Sequence, residues 1–175
     1  AFAKPFAQAL VQWNVQKPAP DGRTIPLESV LEHVLAPIAA AHPTLLLVMD
    51  GLSTSIFREL FARIASQGWA EMVPSSLGQP LAGVAALPTI TEVSRASLLC
   101  GRLTIGASAQ EKTGFATNAA LLAHSRADAP PRLFHKGDLA DATNLAPEVR
   151  AAIASTQQRV VGVVAVQRVV GRRER

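Results

Sequence analysis

Asp50 and Thr91 are the residues of this 175-residue chain whose types and settings could do chemistry together. Asp50 ends the apolar run Leu45-Leu46-Leu47-Val48-Met49 and is followed by Gly51. Thr91 opens Thr91-Glu92-Val93-Ser94-Arg95-Ala96-Ser97-Leu98-Leu99-Cys100-Gly101, just after Leu87-Pro88-Thr89-Ile90. A strand that delivers a carboxylate to its C-terminal end, and a hydroxyl at the start of a helix, are two parts of a metal-assisted phosphoryl-transfer site. The carboxylate would hold a divalent cation. That cation and the helix N-terminus would stabilise the Thr91 alkoxide and a phosphate oxygen. Both residues also have a plain reading, Asp50 as the cap of the next helix and Thr89 and Thr91 as caps of theirs.

A third group, His135, Asp138 and Asp141, follows the apolar segment Arg132-Leu133-Phe134. His135 and Asp138 have the i, i+3 spacing of possible ligands, although a His at a strand end, like His42, more often faces solvent. Arg95, one turn beyond Thr91, could reach a phosphate or could be a solvated helix charge. Cys100, beside Leu98 and Leu99, reads as a small buried hydrophobe rather than a reactive thiol.

The elements that must position these residues are legible in the apolar spacing. A mixed apolar and polar pattern over 2–15 suggests a helix, and Pro18-Ala19-Pro20-Asp21-Gly22 breaks it. Leu27, Val30, Leu31, Val34 and Leu35 have amphipathic helical spacing, with Pro26 in the first turn and Pro37 kinking or ending the helix. The run Leu45–Met49 reads as a central parallel strand buried on both faces. Leu52, Ile56, Phe57, Leu60, Phe61 and Ile64 give a second amphipathic helix, stopped by Gly68.

A further strand is expected near Ala70–Val73, before a Ser/Gly/Pro-rich loop over 74–83. Thr89 and Glu92 form a capping-box pattern for a helix that stops at Gly101. Residues 102–131 read as active-site loops with a short helix near 117–124. Arg132–His135 and Arg159–Val166 read as strands, and Pro147 opens a helix over 148–155. Strands alternating with helices predict an α/β fold, a mostly parallel sheet with helices on both faces.

Composition narrows the function classes. Hydrophobic residues make up 49% of the chain and charged residues 17%, which suits one soluble α/β domain. With 5% aromatics and no Tyr, platforms for stacking single-stranded nucleic acid are poor. One Cys excludes an internal disulfide, so a reducing cytoplasmic location is expected, and no membrane span is apparent. Residues 158–175 carry five Arg against one Glu and so account for the whole formal net charge of +4. A tail of that kind can hold phosphates nonspecifically but says little about the folded body. The chain opens on Ala1 rather than Met, from which we expect a piece of something longer.

Asp50-Gly51 after an apolar strand, with Pro88-Thr89-Ile90-Thr91 leading into Ser97-Leu98-Leu99-Cys100-Gly101, resembles the alkaline phosphatase superfamily. In its nucleotide pyrophosphatase branch a Pro-Thr-x-Thr segment carries the nucleophile at the second Thr, which matches Thr91. The metal-binding strand Asp matches Asp50, and the Thr91 hydroxyl would be the other ligand. The closer resemblance is to PglZ proteins of the BREX phage-exclusion systems, over roughly residues 25–164. Glu92-Val93-Ser94-Arg95-Ala96-Ser97-Leu98-Leu99-Cys100-Gly101-Arg102-Leu103 carries it, with Leu133-Phe134-His135-Lys136-Gly137-Asp138-Leu139 in support.

The resemblance implies an alkaline phosphatase-like core, incomplete at the C-terminus, and a metal-dependent phosphatase or phosphodiesterase. It implies a divalent metal, zinc being the expected ion, and a phosphate-ester or nucleic-acid substrate. Other BREX components would be the partners. Residues 1–41 would be a helical lead-in, 42–166 a partial PglZ-type domain and 167–175 an Arg-rich, disordered tail. The superfamily completes its metal site with further Asp and His downstream, whereas this sequence has no Asp after Asp141 and no His after His135. The ending Gln167-Arg168-Val169-Val170-Gly171-Arg172-Arg173-Glu174-Arg175 resembles out-of-frame translation of a GC-rich gene. The fragment is therefore expected to be inactive. The alternative is a non-catalytic scaffold or interaction module of the same defence complex.

Overall fold

The computed structural model describes residues 3–16, 24–74, 78–141 and 144–166. In chain order the elements are α1 (Ala3–Gln16), β1 (Thr24–Pro26), a 3-10 turn (Leu27–Ser29), a π-helical turn (Leu31–Leu35), α2 (Ala36–Ala41), β2 (Thr44–Asp50) and α3 (Thr54–Ala65). There follow β3 (Ala82–Val84), α4 (Thr91–Cys100), α5 (Ser108–Ala116), α6 (Ala119–Leu122) and β4 (Arg132–Phe134). The last are α7 (Lys136–Leu139), β5 (Ala140–Asp141), β6 (Asn144–Leu145), α8 (Pro147–Ala154) and β7 (Val160–Val166). The class is α/β, with a parallel sheet ordered β2-β7-β4. The turn expected at 18–22 and the tail at 167–175 lie outside the described residues.

The strand buried on both faces is β7, not β2. Val160 and Val164 enter a core with Leu31, Leu35, Leu99, Phe115 and Leu133, while Val161 and Val163 enter a second core with Phe134, Val149 and Ala152. Helices therefore cover β7 from both sides. On β2, Leu46 and Val48 pack on the first core, but Leu45 and Leu47 are 46% and 50% exposed. The continuous apolar run correctly indicates a parallel strand. Among the described residues it nonetheless pairs only with β7, at the edge of the three-stranded sheet, and one of its faces is left exposed.

The strand expected at 70–73 is absent: those residues are irregular, and β3 forms later, at Ala82–Val84, paired in parallel with β1. Pro26 belongs to β1 rather than to a helix, and Pro37 does not end the helical segment but lies in the first turn of α2, which runs on to Ala41. Proline cannot donate to the carbonyl four residues back, and its ring crowds that carbonyl. The ladder ahead of Pro37 is accordingly widened into a π-turn, with the Ala36 N–H donating to the Leu31 carbonyl. Leu31, Leu35, Ala36 and Ala39 of this segment share the first core with β7. Helix α3 has the expected apolar spacing but buries none of its residues, and Ile56 and Phe57 stay exposed.

Candidate functional site

Asp50 is the last residue of β2, and Gly51 (φ 79°) turns the chain away from it. A left-handed backbone costs glycine little, so the turn can follow the strand directly. The cap of the next helix is Ser53, whose Oγ accepts from the Ile56 N–H, so Asp50 is released from that duty. Thr91 is the first residue of α4. The Thr89–Glu92 capping box does not form: Ile90 is the N-cap, with no side-chain bond to the first turn. The helix ends as expected at Gly101 (φ 67°), where the Gly101 and Arg102 N–H groups donate to the carbonyls of Leu98 and Ser97.

Asp50, Thr89, Thr91, Ser94 and Arg95 line one cleft of about 210 Å³, walled on its apolar side by Leu27, Val48 and Leu98. It opens at the carboxyl end of β2, where ligands of open parallel sheets bind. A larger cavity, about 510 Å³, lies at the opposite ends of the strands, beside Pro43 ahead of β2 and Arg159 ahead of β7.

Charged groups from four parts of the chain meet behind the cleft. Arg95 donates from Nη1 to Asp50 Oδ2 and from Nε to Glu111 Oε1, each at 3.0 Å. The Glu111 side chain, on α5, is fully buried, and the Arg95 side chain is 16% exposed. Glu111 Oε2 lies 3.2 Å from Nε2 of the nearly buried His135, out of line for a hydrogen bond, so both atoms lack a hydrogen-bond partner. Burial pulls the His135 imidazole below its usual range, against the attraction of Glu111, and Arg95 and Lys112 pull it the same way as burial. Asp138 does structural work: its Oδ2 accepts from the His135 N–H at 2.8 Å and lies 2.7 Å from Lys112 Nζ. The Lys112 and backbone hydrogen bonds hold its carboxyl below the usual range.

Glu111 is the member of this cluster that the sequence does not announce. Its helix carries little apolar periodicity, so 102–131 reads as loop and a charged residue there reads as solvated. The available signal is Gln110-Glu111 three and four residues after Ala107, since Gln110 Oε1 accepts from the Ala107 N–H and starts the helix. Asp141 lies in β5, which pairs with β6 in a sheet separate from the one that carries Asp50. His42 ends α2 and is exposed. Cys100 is half-buried against Gly114 of α5, and burial pushes its thiol up, which suits the reading of a packing residue.

The donor set near Asp50 does not make a metal site by itself. Its Oδ2 is held by a guanidinium, and among the described residues no group of three or more His, Cys, Asp or Glu converges as metal ligands would. Among the described residues no helix is long and apolar enough to cross a membrane. No protein-family model, curated protein or solved structure matches the chain.

Proposed function

We propose that the chain is part of a PglZ-type protein and handles phosphate esters at the cleft between β2 and α4. The observation that carries this reading is that the strand-end Asp50 and the helix-start Thr91 line the same cleft. Thr91 is the proposed nucleophile. Its hydroxyl sits in the first turn of α4, where no side chain caps the helix and free N–H groups favour a phosphate oxygen. Asp50 and Thr91 are the metal ligands that the resemblance implies, with zinc as the expected ion. Two such donors, one of them engaged by Arg95, would leave the ion mostly hydrated and weakly held.

By the same resemblance the complete protein acts in the cytoplasm in phage defence, with other BREX components as partners. The Asp50–Arg95 ion pair favours a second reading, a non-catalytic module that binds within that complex. Joining this chain to the C-terminal continuation of an intact PglZ-type relative tests the choice. Hydrolysis of a phosphate mono- or diester that Thr91→Ala abolishes supports the enzyme. A folded, inert fusion supports the module.

A further inference from the structure

The positive charge fixed in the cleft belongs to a side chain. Arg95 lines the cleft with Thr89, Thr91 and Ser94, and it is braced from two sides. Glu111, fully buried on α5, takes Nε, and Asp50 at the end of β2 takes Nη1. A guanidinium has five N–H donors in a rigid plane. Those two contacts leave both donors on Nη2, and the second on Nη1, with no partner among the described residues. Removing Arg95 would leave the Glu111 charge buried against His135 alone, so the bracing is strongly imposed.

We propose that Arg95, held in place by Glu111, is the anion-binding residue of this cleft and takes a phosphate oxyanion directly, with no metal between them. This rests on the reading of the cleft as a phosphate-ester site and replaces the expected metal by a guanidinium. The planar fork matches two oxygens of a tetrahedral oxyanion, and the hydroxyls of Thr91 and Ser94 on the same helix can donate to the others. Asp50 has a defined part in this arrangement. Its carboxylate competes with the ligand for Nη1 and repels it, so it weakens anion binding. In a metal site the same carboxylate would strengthen binding through the cation.

Titration of the 175-residue chain with inorganic phosphate in EDTA, by calorimetry or ³¹P line broadening, tests this. The expected result is saturable binding that Arg95→Gln weakens about tenfold or more and Asp50→Asn strengthens several-fold. If Arg95→Gln fails to fold around a lone buried Glu111, the double variant Arg95→Gln/Glu111→Gln removes both charges and should show the same loss. Binding that needs added Zn²⁺ and disappears in Asp50→Asn would overturn the role of Arg95 and leave the phosphate-ester reading standing. No binding by the folded chain, with or without Zn²⁺, would overturn both. Binding in EDTA that neither Arg95 variant changes would overturn the assignment to Arg95 alone.

Discussion

The Arg95 guanidinium joins Asp50 to Glu111 across 61 positions of sequence, at 3.0 Å on each side. The two halves of this bridge differ in setting, because Asp50 is 30% exposed on its side chain and Glu111 is fully buried. Truncation should therefore cost unequal amounts. Arg95→Leu leaves a buried carboxylate uncompensated and should lower stability by about 3–5 kcal/mol. Asp50→Asn leaves Arg95 paired with Glu111 and should cost about 1 kcal/mol or less. Urea unfolding of the two variants, compared at one pH, checks the order; equal losses would contradict it.

Acid should destabilise the fold in two stages. His135 is nearly buried and its pKa is lowered, so below about pH 6.5 the unfolded chain takes up a proton there before the folded chain does. Stability then falls as pH decreases from about 6.5 toward the folded value. Asp138, whose carboxyl is held low by Lys112 and by the His135 N–H, adds its own loss below about pH 4. Urea midpoints measured from pH 7.5 to 3.5 should show both, and His135→Gln should flatten the upper part only. A wild-type midpoint constant between pH 7 and 5 would show that His135 is not held neutral.

Gly114 of α5 packs directly against Cys100 of α4. A Cβ placed there would collide with Cys100 Sγ and sit 3.1 Å from the Cys100 Cα, which is backbone and cannot swing aside. Replacing a helical glycine by alanine ordinarily gains about 0.5–1 kcal/mol. Here overpacking, about 1–3 kcal/mol, should win, so Gly114→Ala is expected to lower the thermal midpoint. Because α4 and α5 carry Arg95 and Glu111, the same variant should weaken phosphate binding. Cys100→Ala, which removes the closest of these contacts, should restore part of both in the double variant.

The 175-residue chain is expected to hydrolyse neither phosphate monoesters nor diesters, with Zn²⁺, Mn²⁺ or Mg²⁺ added. Asp50 and Thr91 together cannot hold two ions or stabilise attacking and leaving oxygens at once. A sensitive chromogenic assay on purified chain, with Thr91→Ala as the blank, is the check. Metal-dependent turnover that the substitution removes would mean that other residues complete the site.

Much of the frame around the cleft was readable before its geometry was. The apolar run ending in Asp50 and the helix from Thr91 to Gly101 stand where their residues place them, since a continuous apolar run and a left-handed glycine stop are local, strong signals. The rank of β2 within the sheet was not readable. A run such as Leu45–Met49 reports apolar side chains on two faces, but which neighbour covers each face depends on contacts with β7 and α4, remote in sequence. Ala70–Val73 has strand-like residues without a partner strand, and β3 forms instead where β1 supplies one. Glu111 was invisible for a related reason. A buried carboxylate is betrayed only by the cation beside it, and Arg95 lies 16 positions away.

Leu45 and Leu47 point outward from a strand whose far edge meets no neighbour among the described residues. An open edge offers a row of amides and carbonyls to any extended peptide, and leucines beside it give that peptide an apolar bed. Lysine, proline or a bulge commonly discourages such additions, and the segment Thr44–Asp50 has none of the three. In a concentrated solution the strand is therefore expected to act as a template for its own copies. Clouding should rise steeply with protein concentration, and Leu47→Lys should delay it without disturbing the Leu46 and Val48 side of the strand.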